Sequence, residues 1–103
     1  MSVLRNLAHE IEAAHEAYRD ALDTEAEATA EYLRAFHRAF ATAVSDRVAV
    51  TARRDLSNNQ AVDELVSVEF ASAAVKSCRS KVDEVSARLS AAQSYVRFER
   101  ENT

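Results

Sequence analysis

The chain has 103 residues, a length that suits a single domain covering residues 1–103, and it contains no glycine and no proline. Most sharp turns need one of these two residues, so the composition excludes a sheet protein and leaves an all-α fold. The formal net charge of −4 disfavours nucleic acid, a lone cysteine excludes an internal disulfide, and the lack of any run of about 18 apolar residues excludes a membrane span.

The first predicted helix covers about residues 3–41. Its apolar positions recur at the three-four spacing that places them on one stripe. Two successive steps of four, between Ala14 and Leu22, depart from a strict heptad. Tyr32, Phe36 and Phe40 are four apart and are expected to stack. The predicted stripe consists of Leu4, Leu7, Ile11, Ala14, Tyr18, Leu22, Ala26, Thr29, Leu33, Phe36 and Phe40.

Two breaks follow this helix and leave a short middle helix between them, at about residues 46–56. The first break is expected at 41–45, where Thr42 and Val44 are poor helix formers and Ser45 with Asp46 can start a new helix. The second is expected at 57–60, where Ser57 and Gln60 have the spacing of a capping box. Either break could hold the main turn of an antiparallel helical hairpin.

The last predicted helix, about residues 60–101, carries the most regular pattern of the chain. Nine positions alternate three-four without a fault, as in a coiled coil. We call them the ladder: Val68, Ala71, Val75, Cys78, Val82, Val85, Leu89, Ala92 and Val96.

The two arms of such a hairpin differ in length, and this predicts self-association. With the turn at 57–60, Leu4, Leu7 and Ile11 would overhang without an intrachain partner. With the turn at 41–45, the overhang would instead consist of Leu89, Ala92, Val96 and Phe98. We therefore expect a homo-oligomeric helical bundle, a dimer or larger, unless the first helix bends and covers its own excess. The predicted self-association or partner seam is Leu4, Leu7, Ile11, Val82, Val85, Leu89 and Val96.

Candidate chemistry is sparse. Glu12 and His15 have the spacing of a di-iron ligand pair, but they fall outside the apolar stripe, where a solvated pair explains them better. Cys78 lies on the ladder and is expected to act as a small buried hydrophobe. His9 and His37 have no nucleophile beside them. The sequence therefore predicts no catalytic, cofactor-binding or metal-binding residue, and no enzyme.

Two basic groups could contact nucleic acid, but acidic residues interrupt both of them, and ordinary solvated helix faces explain them better. The first helix is strongly acidic, and it could instead dock on a basic protein surface. The basic groups are Arg47, Arg53 and Arg54, and Lys76, Arg79 and Lys81.

Residues 25–97 resemble a recurrent group of small helical accessory proteins of actinobacterial phages and prophages, including mycobacteriophages. The likeness lies in Glu31-Tyr32-Leu33-Arg34-Ala35-Phe36, Ala39-Phe40, Val44-Ser45-Asp46-Arg47 and the long closing helix through Arg97. The resemblance implies a phage protein in the host cytoplasm and transfers no activity.

Taken together, the sequence predicts a non-enzymatic interaction protein that self-associates and binds a host or phage protein, with no cofactor and no membrane span. The alternative is a nucleic-acid-associated accessory protein for recombination, packaging or regulation.

Overall fold

The computed structural model describes residues 2–102, and the side chains of residues 3–102. Three helices cover almost all of this part of the chain: α1 at Ser2–Ser45, α2 at Val50–Gln60 and α3 at Val62–Glu101. The described residues contain no strand. The predicted all-α fold class, with a short middle helix between two long ones, is confirmed.

These residues group into two compact units. One unit joins the described residues up to Ala21 to those from Val75 onward, and the other is the continuous segment 22–74. In the first unit Glu10 of α1 accepts a hydrogen bond from Arg88 of α3, and in the second Glu25 of α1 accepts one from Ser72 of α3. Early α1 residues thus meet late α3 residues in one unit, while later α1 residues meet early α3 residues in the other. The pairing of α1 with α3 is antiparallel.

Helix α1 ends four residues later than predicted, because a backbone motif rather than weak helix formers terminates it. The amide of Val48 donates a hydrogen bond of 3.0 Å to the carbonyl of Ala43. The amide of Arg47 donates one of 3.1 Å to the carbonyl of Val44. Arg47 has a φ of 62°. This is a Schellman motif, in which a left-handed residue lets the chain fold back onto the last carbonyls. The main turn is therefore at residues 46–49, and the break predicted at 41–45 is wrong.

The capping box predicted at 57–60 is also wrong. Ser57 lies inside α2, fully buried, and its hydroxyl donates to the carbonyl of Arg53 at 2.7 Å. Helix α2 continues to Gln60, and only Ala61, with φ −100° and ψ 18°, separates it from α3. Backbone hydrogen bonds of 3.0 Å from Ala61 to Ser57 and from Leu65 to Ala61 bridge the interruption. Ser57 is therefore a residue of the helix interior, and its hydroxyl donates a hydrogen bond to the preceding turn, as serines within helices can do.

The α1 seam differs from its predicted course beyond Tyr18. Leu22 is 39% exposed and Leu33 is 47% exposed, and Ala26 and Thr29 are exposed as well. Phe36 and Phe40 of the predicted stripe are half-buried, and Ala30 and Ala43 are half-buried or buried as well. Eleven other less exposed positions of α1 keep an unbroken three-four alternation, so the departure from the heptad predicted after Ala14 does not occur. They are Leu4, Leu7, Ile11, Ala14, Tyr18, Ala21, Glu25, Ala28, Tyr32, Ala35 and Ala39.

The predicted aromatic strip is present. Ring centroids lie 6.1 Å apart between Tyr32 and Phe36, and 6.1 Å apart between Phe36 and Phe40. All three rings are half-buried, and the hydroxyl of Tyr32 donates to Asn58 of α2 at 2.6 Å. The strip thus forms part of the surface on which α2 packs.

Candidate interaction surface

The seven residues of the predicted seam all lie at buried or half-buried positions of the first unit. Leu7 is 6% exposed and Val85 is fully buried by residues of its own chain. The other five are half-buried: Leu4, Ile11, Val82, Leu89 and Val96. Helices α1 and α3 of one chain cover Leu7 and Val85, and a second chain is not needed to exclude water from them.

The overhang expected at the start of α1 is absent. Leu4 lines the same groove as Val96 and Arg97, and Leu7 lines another groove with Arg88 and Ala91. Because the main turn is at residues 46–49, α3 together with α2 is long enough to reach the first turns of α1. The overhang at the start of α1 fails for a topological reason, since it depended on a turn at 57–60. Of the residues expected to overhang with a turn at 41–45, Leu89, Ala92 and Val96 are half-buried and Phe98 is 61% exposed.

One ion pair closes the side of this contact. A guanidinium nitrogen of Arg88 donates to Glu10 at 3.1 Å, and both side chains are about half exposed. Water screens such a pair, so it contributes at most about 1 kcal/mol. It helps to fix the alignment of α1 with α3 in the first unit.

The residues considered as catalytic or metal-binding candidates do not lie together. Glu12, His15, His9 and His37 are exposed on α1, and Cys78 is half-buried in the ladder. Among residues 2–102 no group of three histidine, cysteine or acidic side chains has the geometry to hold a metal ion. In the same part of the chain no helix is long and apolar enough to cross a membrane.

The basic group near the turn has a structural role at one position. The Nε of Arg53 donates to the carbonyl of Val48 at 2.8 Å, and its side chain is half-buried. This bond ties the first turn of α2 to the end of the α1 motif, since Ala49, which precedes α2, provides no side-chain cap. Arg47 and Arg54 remain exposed to solvent. Only these two arginines of the group are available to a ligand.

The structure exposes an apolar surface that the sequence analysis missed. Val62, Val66 and Phe70 are 49%, 41% and 74% exposed, and they follow one another at intervals of four on α3. At 100° per residue they form a ridge on the side of α3 opposite the ladder. We call Val62, Val66 and Phe70 the outer ridge. Their four-residue spacing is visible in the sequence. The ladder on the same helix is longer and more regular, and it alone was predicted to be a packing surface.

A second apolar feature lies between α1 and α2. Its lining consists of the apolar Leu33 and Phe36, of His37 and Arg54, and of the hydrogen-bonded Tyr32–Asn58 pair. This groove has a volume of about 400 Å³ and is open to solvent. Leu33 and Phe36 of the predicted α1 stripe are thus accessible beside α2.

Comparison with known proteins adds no relative: no protein-family model, no curated protein and no solved structure matches this chain significantly.

Proposed function

We propose that this chain is a non-enzymatic helical interaction protein that self-associates and binds a second protein. The observation that carries the proposal is the distribution of apolar side chains. Among the described residues only Leu7 and Val85 are buried apolar side chains larger than alanine. Ten large apolar side chains are exposed: Val3, Leu22, Leu33, Val44, Val50, Val62, Val66, Phe70, Tyr95 and Phe98. Scattered exposed hydrophobes are ordinary, but an aligned set on one helix face is typical of a binding surface.

The accessible surface supports self-association. The chain exposes 7692 Å², whereas a folded monomer of its mass exposes about 5,800 Å² by the usual scaling. The excess is on the order of 1,900 Å². Each partner in a standard stable interface gives up about 800 Å². The excess therefore exceeds what one ordinary interface removes from each chain.

The cellular setting in this proposal comes from the resemblance to actinobacterial phage accessory proteins. A phage-encoded chain of this kind acts in the host cytoplasm, and its second partner is a host or phage protein. Cys78 lies within the ladder and the three histidines lie exposed on α1, an arrangement that suits a binding role better than nucleophilic catalysis.

Sedimentation velocity of the full chain, over roughly two orders of magnitude in concentration, tests the proposal. We expect the mean mass to increase from one chain to two or more. A mass of one chain throughout the range would refute self-association. Cross-linking in host lysate, followed by mass spectrometry, then identifies the second partner.

The runner-up is a nucleic-acid-associated accessory protein, and the exposed Arg47 and Arg54 beside the main turn favour it. Phosphate contacts weaken steeply as salt is added. Titration of the chain with duplex DNA at low and physiological salt separates the two functions. The interaction protein shows no salt-dependent binding, whereas the accessory protein binds at low salt and releases DNA when salt is added.

A further inference from the structure

We infer that the outer ridge of α3 is the centre of a two-fold interface between two copies of this chain. The inference rests on the proposed self-association and specifies its surface. Phe70 is the most exposed aromatic side chain among the described residues, at 74%, and it continues the line of Val62 and Val66.

The spacing of the ridge specifies how another helix would pack on it. Side chains four residues apart form a ridge inclined to the helix axis, and two such ridges interdigitate in the commonest packing of helices in globular proteins. A two-fold axis beside Val66 places the large Phe70 of each copy against the smaller Val62 of the other. The ridge is thus complementary to itself, as an interface between identical surfaces requires.

The charges around the ridge disfavour nucleic acid, and its apolar centre has to supply the affinity for a second copy, because a two-fold axis brings the acidic edges of both copies close together. The part of α3 from Val62 to Ala74 contains no lysine and no arginine, and its exposed charged residues are Asp63 and Glu69. These two carboxylates lie on opposite edges of the ridge, about 120° apart around the helix. An apolar centre with charge confined to its edges matches the anatomy of protein interfaces, and the acidic edges repel phosphates.

The surface area supports the same occupant. A second copy seated on the ridge would remove part of the excess of about 1,900 Å² from both chains at once, because a two-fold interface uses the same patch on each. Aromatic anchors at the centre of an interface contribute most of its binding energy. Phe70 has the position and the exposure of such an anchor.

The first test replaces the anchor. Phe70→Gln keeps a good helix former and removes the ring, and Ser67→Gln places the same side chain on an exposed position of the same helix, about 100° away from Val66. We expect Phe70→Gln to weaken self-association roughly a hundredfold in sedimentation equilibrium, because the substitution removes two anchors per dimer. Ser67→Gln is expected to associate like the unmodified chain. Far-ultraviolet circular dichroism verifies that both variants remain helical.

The second test locates the two-fold axis and does not depend on the affinity of a variant. In a Cys78→Ser background, Val66→Cys places a thiol at the axis, whereas Ser67→Cys directs it away from the partner. Disulfides form only between Cα atoms within about 7 Å of each other. Mild oxidation is therefore expected to link Val66→Cys into covalent dimers and to leave Ser67→Cys mostly unlinked.

The outcomes separate the interface from the function. If the unmodified chain associates but Phe70→Gln associates equally well, or if both cysteine variants cross-link at the same rate, the ridge is not the interface and self-association stands. If the unmodified chain stays monomeric throughout, both the ridge interface and the proposed self-association are overturned. Binding of a different protein at the ridge in preference to a second copy would also overturn the inference.

Discussion

Arg47 shows how a chain without glycine ends a 44-residue helix. Its φ of 62° lies in the left-handed region, where the β-carbon of an ordinary residue approaches the following carbonyl. The cost is about 1 kcal/mol. The hydrogen bonds from Arg47 and Val48 to α1 carbonyls offset it, and Ala43, at 2% exposure, packs under the motif.

Arg47→Gly is accordingly expected to stabilise the protein. Glycine adopts the left-handed conformation without the β-carbon clash, and part of this gain is lost because glycine also makes the unfolded chain more flexible. We expect a net increase of about 0.5–1 kcal/mol in the free energy of unfolding, measured by urea denaturation.

Arg47→Ala is the matched control, since it removes the guanidinium and keeps the β-carbon. Its stability is expected to stay close to that of the unmodified chain. If alanine stabilises the protein as much as glycine does, the effect comes from the lost charge and the backbone argument is incorrect.

Ser57 illustrates where local sequence signals reach their limit. A serine three residues before Gln60 fits a capping box, and the same serine fits a helix interior in which its hydroxyl bonds to the preceding turn. Tertiary packing decides between them: Ser57 is fully buried, and a fully buried hydroxyl requires a partner, which the carbonyl of Arg53 provides. No residue within the motif carries that information.

At the scale of elements, α3 could be predicted and α1 only in part. Every ladder position of α3 is buried or half-buried, because seven of the nine are valine, leucine or cysteine, and the three-four spacing leaves no competing choice. On α1 the large leucines Leu22 and Leu33 suggested one stripe, whereas alanines and Glu25 occupy the actual seam. Small side chains pack where two helices approach closely. A seam of alanines is therefore not visible in a sequence pattern that is traced through the large apolar residues.

Glu25 is the polar member of the α1 seam. Its carboxylate accepts a hydrogen bond of 2.7 Å from the hydroxyl of Ser72, and both side chains are half-buried. A polar residue at a single seam position fixes the register of two helices and reduces their stability. The Glu25–Ser72 hydrogen bond thus explains how a seam with alanine at five of its eleven positions holds one alignment.

Glu25→Leu is expected to raise the melting temperature, because leucine buries apolar surface at a position that now holds a carboxylate. The expected gain is on the order of 1 kcal/mol, or about 5 °C for a chain of this size. Thermal unfolding followed by circular dichroism measures it.

Glu27→Leu makes the same substitution at an exposed position two residues further along α1 and controls for the general effect of leucine on helix formation. It is expected to change the melting temperature little. A melting temperature lowered by Glu25→Leu would mean that the bond to Ser72 stabilises the seam more than apolar burial does.

At the scale of the whole molecule, the prominent feature is how little the chain buries. Val85 is the only fully buried apolar side chain larger than alanine among the described residues. The sequence predicted self-association from the unequal arms of a hairpin, and the overhang expected at the start of α1 is absent. The outer ridge is a different reason to expect self-association. It could be recognised only once the structure showed that the ladder packs on the opposite face of α3.

A thin core makes stability depend on assembly. Folded chains of about 100 residues are stable by about 5–15 kcal/mol, so an interface that covers the outer ridge adds a substantial fraction of the total. Because association stabilises the folded state by mass action, the melting temperature of a self-associating chain rises with its concentration. We expect a rise of about 5 °C for a hundredfold increase. Phe70→Gln is expected to melt at one temperature over the same range, and a melting temperature independent of concentration in the unmodified chain would show that a single chain is stable without a partner copy.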